Sequence, residues 1–352
     1  MFDQDGTGVT TEVVFALKAI SKLSGYVGDK ARVLVVTGKS SAKKSGALEQ
    51  VQAQLAMKHA TVVLFDEIEP NPLLLTVQKC VSAHKDDGIT TVIGIGGGSA
   101  MDAAKAIALG LGGVNFVSKE EQAHDKVPKL LCVPTAAGSG SEVTQYSILT
   151  IPERNTKVGI PQHLFPHASF VDPEFLRSIP LEQKRSMFFD IMCHAMESSL
   201  GQKRSEIQTK HAMNALLHLS RAKQFLEGAI EFETLSAVSK ASVEAGISIS
   251  MAGTSLPHGF SYPVTYYKHV SHGYACALFI VKFLGICDQE IVAKLLKQLG
   301  WTREELSEKI NGYVQMPSFS VQEKKTFCQN LINSGKAKTF GDISVDQLMK
   351  LW

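Results

Sequence analysis

The sequence predicts an α/β N-terminal domain with a mostly parallel, doubly wound sheet, followed by an all-α C-terminal domain. Three observations predict it. Short aliphatic runs alternate with amphipathic helical segments through the first half. Strand-like runs stop after about residue 173, and two glycine-rich stretches each follow a strand. Strands separated by helices need crossover connections, which gives parallel pairing.

Residues 32–37 (RVLVVT), 61–65 (TVVLF), 91–95 (TVIGI) and 130–133 (LLCV) have strand length and aliphatic composition. Their apolar runs do not alternate with polar residues, as expected of strands covered on both faces. Residues 47–58 and 71–85 between them are amphipathic, and 10–15 could add an edge strand. Beyond Asp172-Pro173, a turn signal, long helical patterns cover 181–200, 205–226 and 233–252. The tail, 289–352, is helical in composition, with breaks at Gly300, Pro317 and Gly341. The expected domains are 1–172 and 173–352, with a ligand crevice between them.

The chain has 352 residues, 44% apolar and 20% charged, enough for a large interior. With 36 Lys and Arg against 34 Asp and Glu, the formal charge is +2, which offers no field for nucleic acid. Six cysteines form no C-x-x-C pair and read as buried thiols in a reducing compartment. The opening residues lack the basic start and apolar core of a secretory signal. The longest apolar stretch, 273–287, is interrupted by Lys282 and too short to span a bilayer. The expectation is a cytoplasmic protein with no membrane and no nucleic-acid partner.

Residues 94–99 (GIGGGS) end a strand and open the helical pattern 100–111. Gly96, Gly97, Gly98 and Ser99 allow a backbone to approach an anion closely, with first-turn N–H groups aimed at it. Alone this is also an ordinary strand-to-helix turn. A second stretch, 134–142 (PTAAGSGSE), follows the next strand in the same way and points to a long, multi-phosphate ligand.

Asp190 and His194 lie four apart in a helical pattern, so both leave one face. Taken alone they read as an i,i+4 ion pair. His258 and His272 follow, each preceding a glycine. Fourteen helical residues would hold these two about 21 Å apart, and Pro263 lies between them, so they must come from different elements. His269, three residues before His272, is the alternative; Gly273 favours His272. One carboxylate and three imidazoles suit Fe(II), Zn(II) or another divalent ion, and a set without thiolates argues against structural zinc. His211 and His218 have no carboxylate in helical register and read as packing residues, and Cys193 and Cys276 read as buried thiols.

With these residues assembled, the chain resembles the iron-dependent (group III) alcohol dehydrogenase family, from about Thr10 to Trp352. The carrying motifs are G-G-G-S at 96–99 with Asp102 three beyond, the 134–142 loop, D-x-x-x-H at Asp190 and His194, and His258 and His272. The resemblance implies a dehydroquinate-synthase-like fold, with a nucleotide domain and then a helical metal domain. It implies that Asp102, Thr135, Ala136, Ser139, Tyr146 and Lys157 join the glycines in binding cofactor. Ala136 and Ser139 stand where the family usually has threonine; Tyr262 stands where some members have a further histidine. Phe188, Phe260 and Tyr146 would give an apolar substrate pocket.

The resemblance places the adenosine ribose at the end of the first long strand. A carboxylate there would suit NAD, but Gly38 has none. Lys39, Ser40 and Ser41, with Lys43 and Lys44, suit a 2′-phosphate, so NADP(H) is expected over NAD(H). The expected reaction is metal-assisted hydride transfer between this cofactor and a small primary alcohol, diol or aldehyde, with Tyr262 or solvent handling the proton. A homodimer through the edge strand is expected. The rivals are a dehydroquinate-synthase-like lyase and a non-catalytic nucleotide-binding protein with a relic site. The lyase would need a basic pocket, and only Lys268 and Lys282 lie near the two histidines in sequence.

Overall fold

The computed structural model describes residues 2, 4–154 and 156–352. The first part of the chain runs β1 (Glu12–Phe15), β2 (Arg32–Gly38), α1 (Ser41–Lys44), α2 (Ala47–Ala56), β3 (Thr61–Ile68), α3 (Leu74–His84), β4 (Thr91–Gly96), α4 (Gly98–Leu111), β5 (Lys129–Pro134), β6 (Ile148–Ile151), β7 (Thr156–Gly159) and β8 (Ala168–Val171). Six strands form one sheet in the order β1-β8-β5-β4-β2-β3, every neighbouring pair parallel.

The continuous apolar runs have a simple cause. Leu34, Val36, Val92, Leu130 and Cys132 face a core that includes Val77 and Cys80 of α3 and Met101 and Ile107 of α4. Their neighbours Val33, Val35, Ile93, Ile95, Leu131 and Val133 face the opposite core with Leu23 and with Val51 and Leu55 of α2. Alternate residues thus enter two different interiors. The segment 10–15 supplies β1 at the sheet edge, paired with β8. The antiparallel pair β6–β7 was not expected from the sequence.

The second part is helical throughout the described residues: α5 (Leu181–Leu200), α6 (Glu206–Ser220), α7 (Phe232–Ala252), α8 (Leu256–Lys268), α9 (His272–Gly285), α10 (Gln289–Leu299), α11 (Arg303–Tyr313), α12 (Val321–Asn333) and α13 (Val345–Met349). Capping boxes at Thr302, Ser320 and Ser344 start α11, α12 and α13. The chain divides into two compact units, Met1–Ile179 and Pro180–Trp352. Asp172, where the turn was expected, is held in the first unit: its carboxylate accepts from Lys18 N at 2.7 Å and from Glu174 N at 3.0 Å.

Two details differ from the sequence reading. Pro263 does not break the chain; it lies inside α8, and the break comes at His269, which takes a left-handed conformation at φ 55°. Phe188 and Phe260, expected as pocket walls, are buried among other rings. Phe188 packs on Phe189 and Trp301, and Phe260 stacks on Phe279 at 5.0 Å. Among the described residues no helix is long and apolar enough to cross a membrane.

Candidate functional site

In the helical unit, α5 carries Asp190, His194 and Glu197 on one face, at i, i+4 and i+7. Asp190 Oδ1 is the hub. It lies 3.9 Å from His194 Nε2, 3.5 Å from His258 Nε2 of α8 and 3.8 Å from His272 Nε2 at the start of α9. Donors on one metal, each about 2 Å from it, lie roughly 3–4 Å apart, so the spacing fits a divalent cation.

Hydrogen bonding agrees. Glu197 Oε1 accepts from His258 Nδ1 at 2.6 Å, and a carboxylate can only accept, so His258 Nε2 presents its lone pair. Ser261 Oγ donates to His258 O at 2.7 Å and is left to accept from His272 Nδ1 at 3.3 Å, which again frees Nε2. Asp190 Oδ1 and His258 Nε2 are both buried and have no hydrogen-bond partner, a costly arrangement unless something else occupies the space they share. Burial pushes the Asp190 carboxyl up, but the imidazoles of His194, His272 and His258 outweigh it and hold it well below the ordinary range.

Glu197 was missed by the sequence reading. Its other oxygen accepts from Ser255 N at 2.7 Å and His258 N at 3.3 Å, so it also caps the first turn of α8. The available signal was its position three residues after His194. Cys276, four residues after His272 on α9, also faces the group. One ligand atom each from Asp190, His258, His272 and Cys276 lie within 4.8 Å of one another. His272 is the most accessible of the imidazoles, 34% exposed, and Tyr262 stacks beside it with ring centroids 6.3 Å apart.

The glycines beside the histidines serve helix packing. A Cβ on Gly273 would overlap the Ser186 carbonyl oxygen of α5, and one on Gly259 would overlap Leu331 of α12. His269 is exposed at the end of α8 and joins no donor cluster among the described residues. His211 has a carboxylate partner that its own helix could not reveal, Glu244 of α7, at 2.5 Å from Nδ1.

In the α/β unit the two glycine loops lie side by side. Thr135 N donates to Gly96 O at 2.8 Å, and a Cβ on Gly98 would come within 2.7 Å of Ser139 Oγ. Gly96 has φ 151°, and its Cβ would meet Ala100 at 2.8 Å. Ala136 packs over Gly97, while Thr135 Oγ1 is buried with no hydrogen-bond partner. Ser99 Oγ accepts from Asn71 N at 3.1 Å, and Lys157 Nζ donates to Asn71 Oδ1 at 2.6 Å. Tyr146 stands edge-on to His163 at 5.4 Å.

Asp102 is tied into the interior: it accepts from Ser141 Oγ at 2.5 Å and from Ile148 N at 3.0 Å. Below it Lys105, fully buried, donates to Ser141 Oγ at 2.7 Å and Tyr146 O at 2.8 Å. Burial lowers the Lys105 pKa, and Asp102 opposes the shift. This network links α4 to the second loop and to β6, and was not read from the sequence. At the end of β2, Lys39, Ser40, Ser41, Lys43 and Lys44 follow Gly38, and Lys43 pairs with Asp66 at 2.9 Å.

Comparison with known proteins identifies the family. Residues 10–173 match the family described as iron-containing alcohol dehydrogenase, and residues 186–321 match the C-terminal part of the Fe-containing alcohol dehydrogenase family. Long-chain-alcohol dehydrogenase 1 of Geobacillus thermodenitrificans is 27% identical over 90% of this chain and 80% of its own. The iron-containing alcohol dehydrogenase of Thermotoga maritima is 31% identical, with 97% of each chain covered and a TM-score of 0.87. Another crystal structure of an iron-containing alcohol dehydrogenase, 30% identical, covers 97% of this chain and 96% of its own with a TM-score of 0.89. The chain therefore belongs to the iron-containing alcohol dehydrogenase family, oxidoreductases that act on alcohols.

Proposed function

We propose that this protein transfers a hydride between NADP(H) and a small primary alcohol, diol or aldehyde, with a divalent metal, Fe(II) first and Zn(II) as the alternative, held by Asp190, His194, His258 and His272. The observation that carries this reading is the buried, partnerless pair Asp190 Oδ1 and His258 Nε2, ringed by two further imidazole nitrogens. The metal supplies Lewis acidity toward a substrate oxygen. Glu197 and Ser261 orient the imidazoles, and the accessible His272 with Tyr262 beside it marks the side from which substrate enters and where Tyr262 or solvent handles the proton.

The loops of Gly96, Gly97, Gly98, Ser99, Thr135, Ala136 and Ser139 cradle the pyrophosphate by backbone approach, and Thr135 Oγ1 offers a hydroxyl with no internal partner. Asp102, through its tie to Ser141, positions the second loop, while Tyr146 and Lys157 flank the cradle. NADP(H) is favoured over NAD(H) because Gly38 brings no carboxylate to the ribose and Lys39, Ser40, Ser41 and Lys44 bring cations and hydroxyls. Domains 1–172 and 173–352 are assigned to nucleotide and metal respectively. A homodimer through the edge strand β1 is favoured because β1 pairs only with β8 among the described residues. A cytoplasmic location is favoured by six free thiols.

Elemental analysis of the purified protein and steady-state rates on an aldehyde panel test the reading. One divalent metal per chain and faster turnover with NADPH are expected. A clear NADH preference rejects the 2′-phosphate site, and a His258→Ala variant that keeps both metal and turnover rejects the metal site.

A further inference from the structure

We infer that Lys336 holds an anionic group on the substrate, so that the preferred substrate is a short alcohol or aldehyde with a carboxylate at its far end. This rests on the reading that the centre around Asp190 acts on a primary alcohol. The 253–255 loop, between α7 and α8, is pinned from both sides. Glu197, the carboxylate behind His258, accepts from Ser255 N at 2.7 Å, and Lys336 Nζ donates to Thr254 Oγ1 at 2.5 Å. Standard bond lengths across Thr254 keep the ammonium within about 10 Å of the Glu197 carboxylate. Lys336 opens the helical turn Lys336–Thr339, and Thr339 O accepts from Gln202 N at 3.0 Å, just beyond the end of α5. The last part of the chain thus brings a cation against the helix that carries Asp190, His194 and Glu197.

A lysine near a carboxylate is ordinarily its ion-pair partner. Here both Glu197 oxygens already accept from His258 and Ser255, and the half-buried Lys336 ammonium has only the neutral Thr254 hydroxyl among the described residues. Most of its donors are therefore unused. Burial lowers its pKa, with Glu197 opposing the shift. In the same loop Ser255 Oγ is buried with no hydrogen-bond partner, and a Cβ on Gly253 would meet open space. An under-used ammonium and an orphaned hydroxyl beside unfilled space form a donor set that suits a carboxylate. A neutral alcohol leaves that set unsatisfied. The carboxylate takes no part in hydride transfer; it orients the substrate and sets its affinity.

The probes are 3-hydroxypropanoate, 4-hydroxybutanoate and 5-hydroxypentanoate, each set against the diol of the same length. Oxidation rates and calorimetric binding are measured on the metal-loaded protein. At the best-fitting length the acid should exceed the diol in kcat/KM by about tenfold or more. Lys336→Met and Lys336→Gln should each cut that ratio about 10–100-fold, through KM and Kd for the acid, the range for losing a hydrogen bond to a charged group. Lys336→Arg should keep the ratio. Wild-type protein with no acid preference at any length overturns the Lys336 assignment and leaves the alcohol dehydrogenase reading standing. Equal losses on acid and diol in both variants also overturn it, by making Lys336 a tether for the 253–255 loop. Protein that oxidises neither series overturns the reading of function, and calorimetry then decides Lys336 by itself. Acid binding weakened in both variants supports the assignment, and acid binding unchanged in them overturns it.

Discussion

Glu197 and His258, 61 residues apart in sequence, meet at 2.6 Å, with the carboxylate accepting from Nδ1 and the opposite ring nitrogen turned toward Asp190. The contact fixes the tautomer, and it is made by a residue three positions beyond His194 on the same helix.

Glu197→Ala should weaken metal binding by about 10–100-fold, the range for loss of an outer-sphere carboxylate behind a ligating imidazole. Competition with a chelator of known affinity measures it, and unchanged affinity would remove Glu197 from the metal's support.

Two glycines make opposite predictions. Gly273→Ala sets a Cβ against the Ser186 carbonyl and should destabilise the protein by about 3 kcal/mol. Gly312, inside α11, has open space where a Cβ would stand and no left-handed φ. There Gly312→Ala should stabilise by roughly 0.4–1 kcal/mol through the unfolded chain. Urea midpoints at fixed metal content read both.

Glu244→Ala leaves His211 buried with its acceptor gone. The expected loss is about 1–3 kcal/mol, the cost of an unsatisfied buried polar group. Glu244→Gln, which keeps an acceptor oxygen, should recover part of it in the same unfolding assay.

Burial raises the pKa of all six thiols, those of Cys80, Cys132 and Cys287 to about 12 and that of Cys328 to about 11. Native metal-free protein at pH 7 should therefore react slowly with a thiolate-selective reagent, and all six thiols should react at once in denaturant. Because the folded pKa values lie above the unfolded value of about 8.5, the linked stability is fully present below that pH, where the thiols are neutral in both states. As pH rises above it the unfolded chain ionises first, so these groups favour unfolding progressively until about 11–12. Rapid labelling of more than the half-buried Cys287 would contradict the burial of the other five side chains.

The sheet was legible because each strand sends alternate residues into two interiors, which leaves an unbroken apolar run such as VLVV in β2. The β6–β7 pair was not legible: ILTI and TKVG are four residues each and lack a consistent alternation. For the metal centre, residue type and i,i+4 spacing exposed Asp190 and His194, but partners on other helices were beyond any local pattern. His211 and Glu244 are such a pair, and so are His258 and Glu197. Lys105 left one trace, a single cation three residues after Asp102 in a mostly apolar α4, but only the folded chain shows it satisfied by Ser141 and Tyr146.

The position of β1 has a consequence for biosynthesis. Its strand partner β8 pairs Ala168 with Glu12, so the opening strand leaves the ribosome long before its partner is translated. At about 5–20 residues per second that interval is on the order of 8–30 s. During it β2, β3, β4 and β5 can already zip together in the nascent chain, while β1, made before them, still waits for its partner.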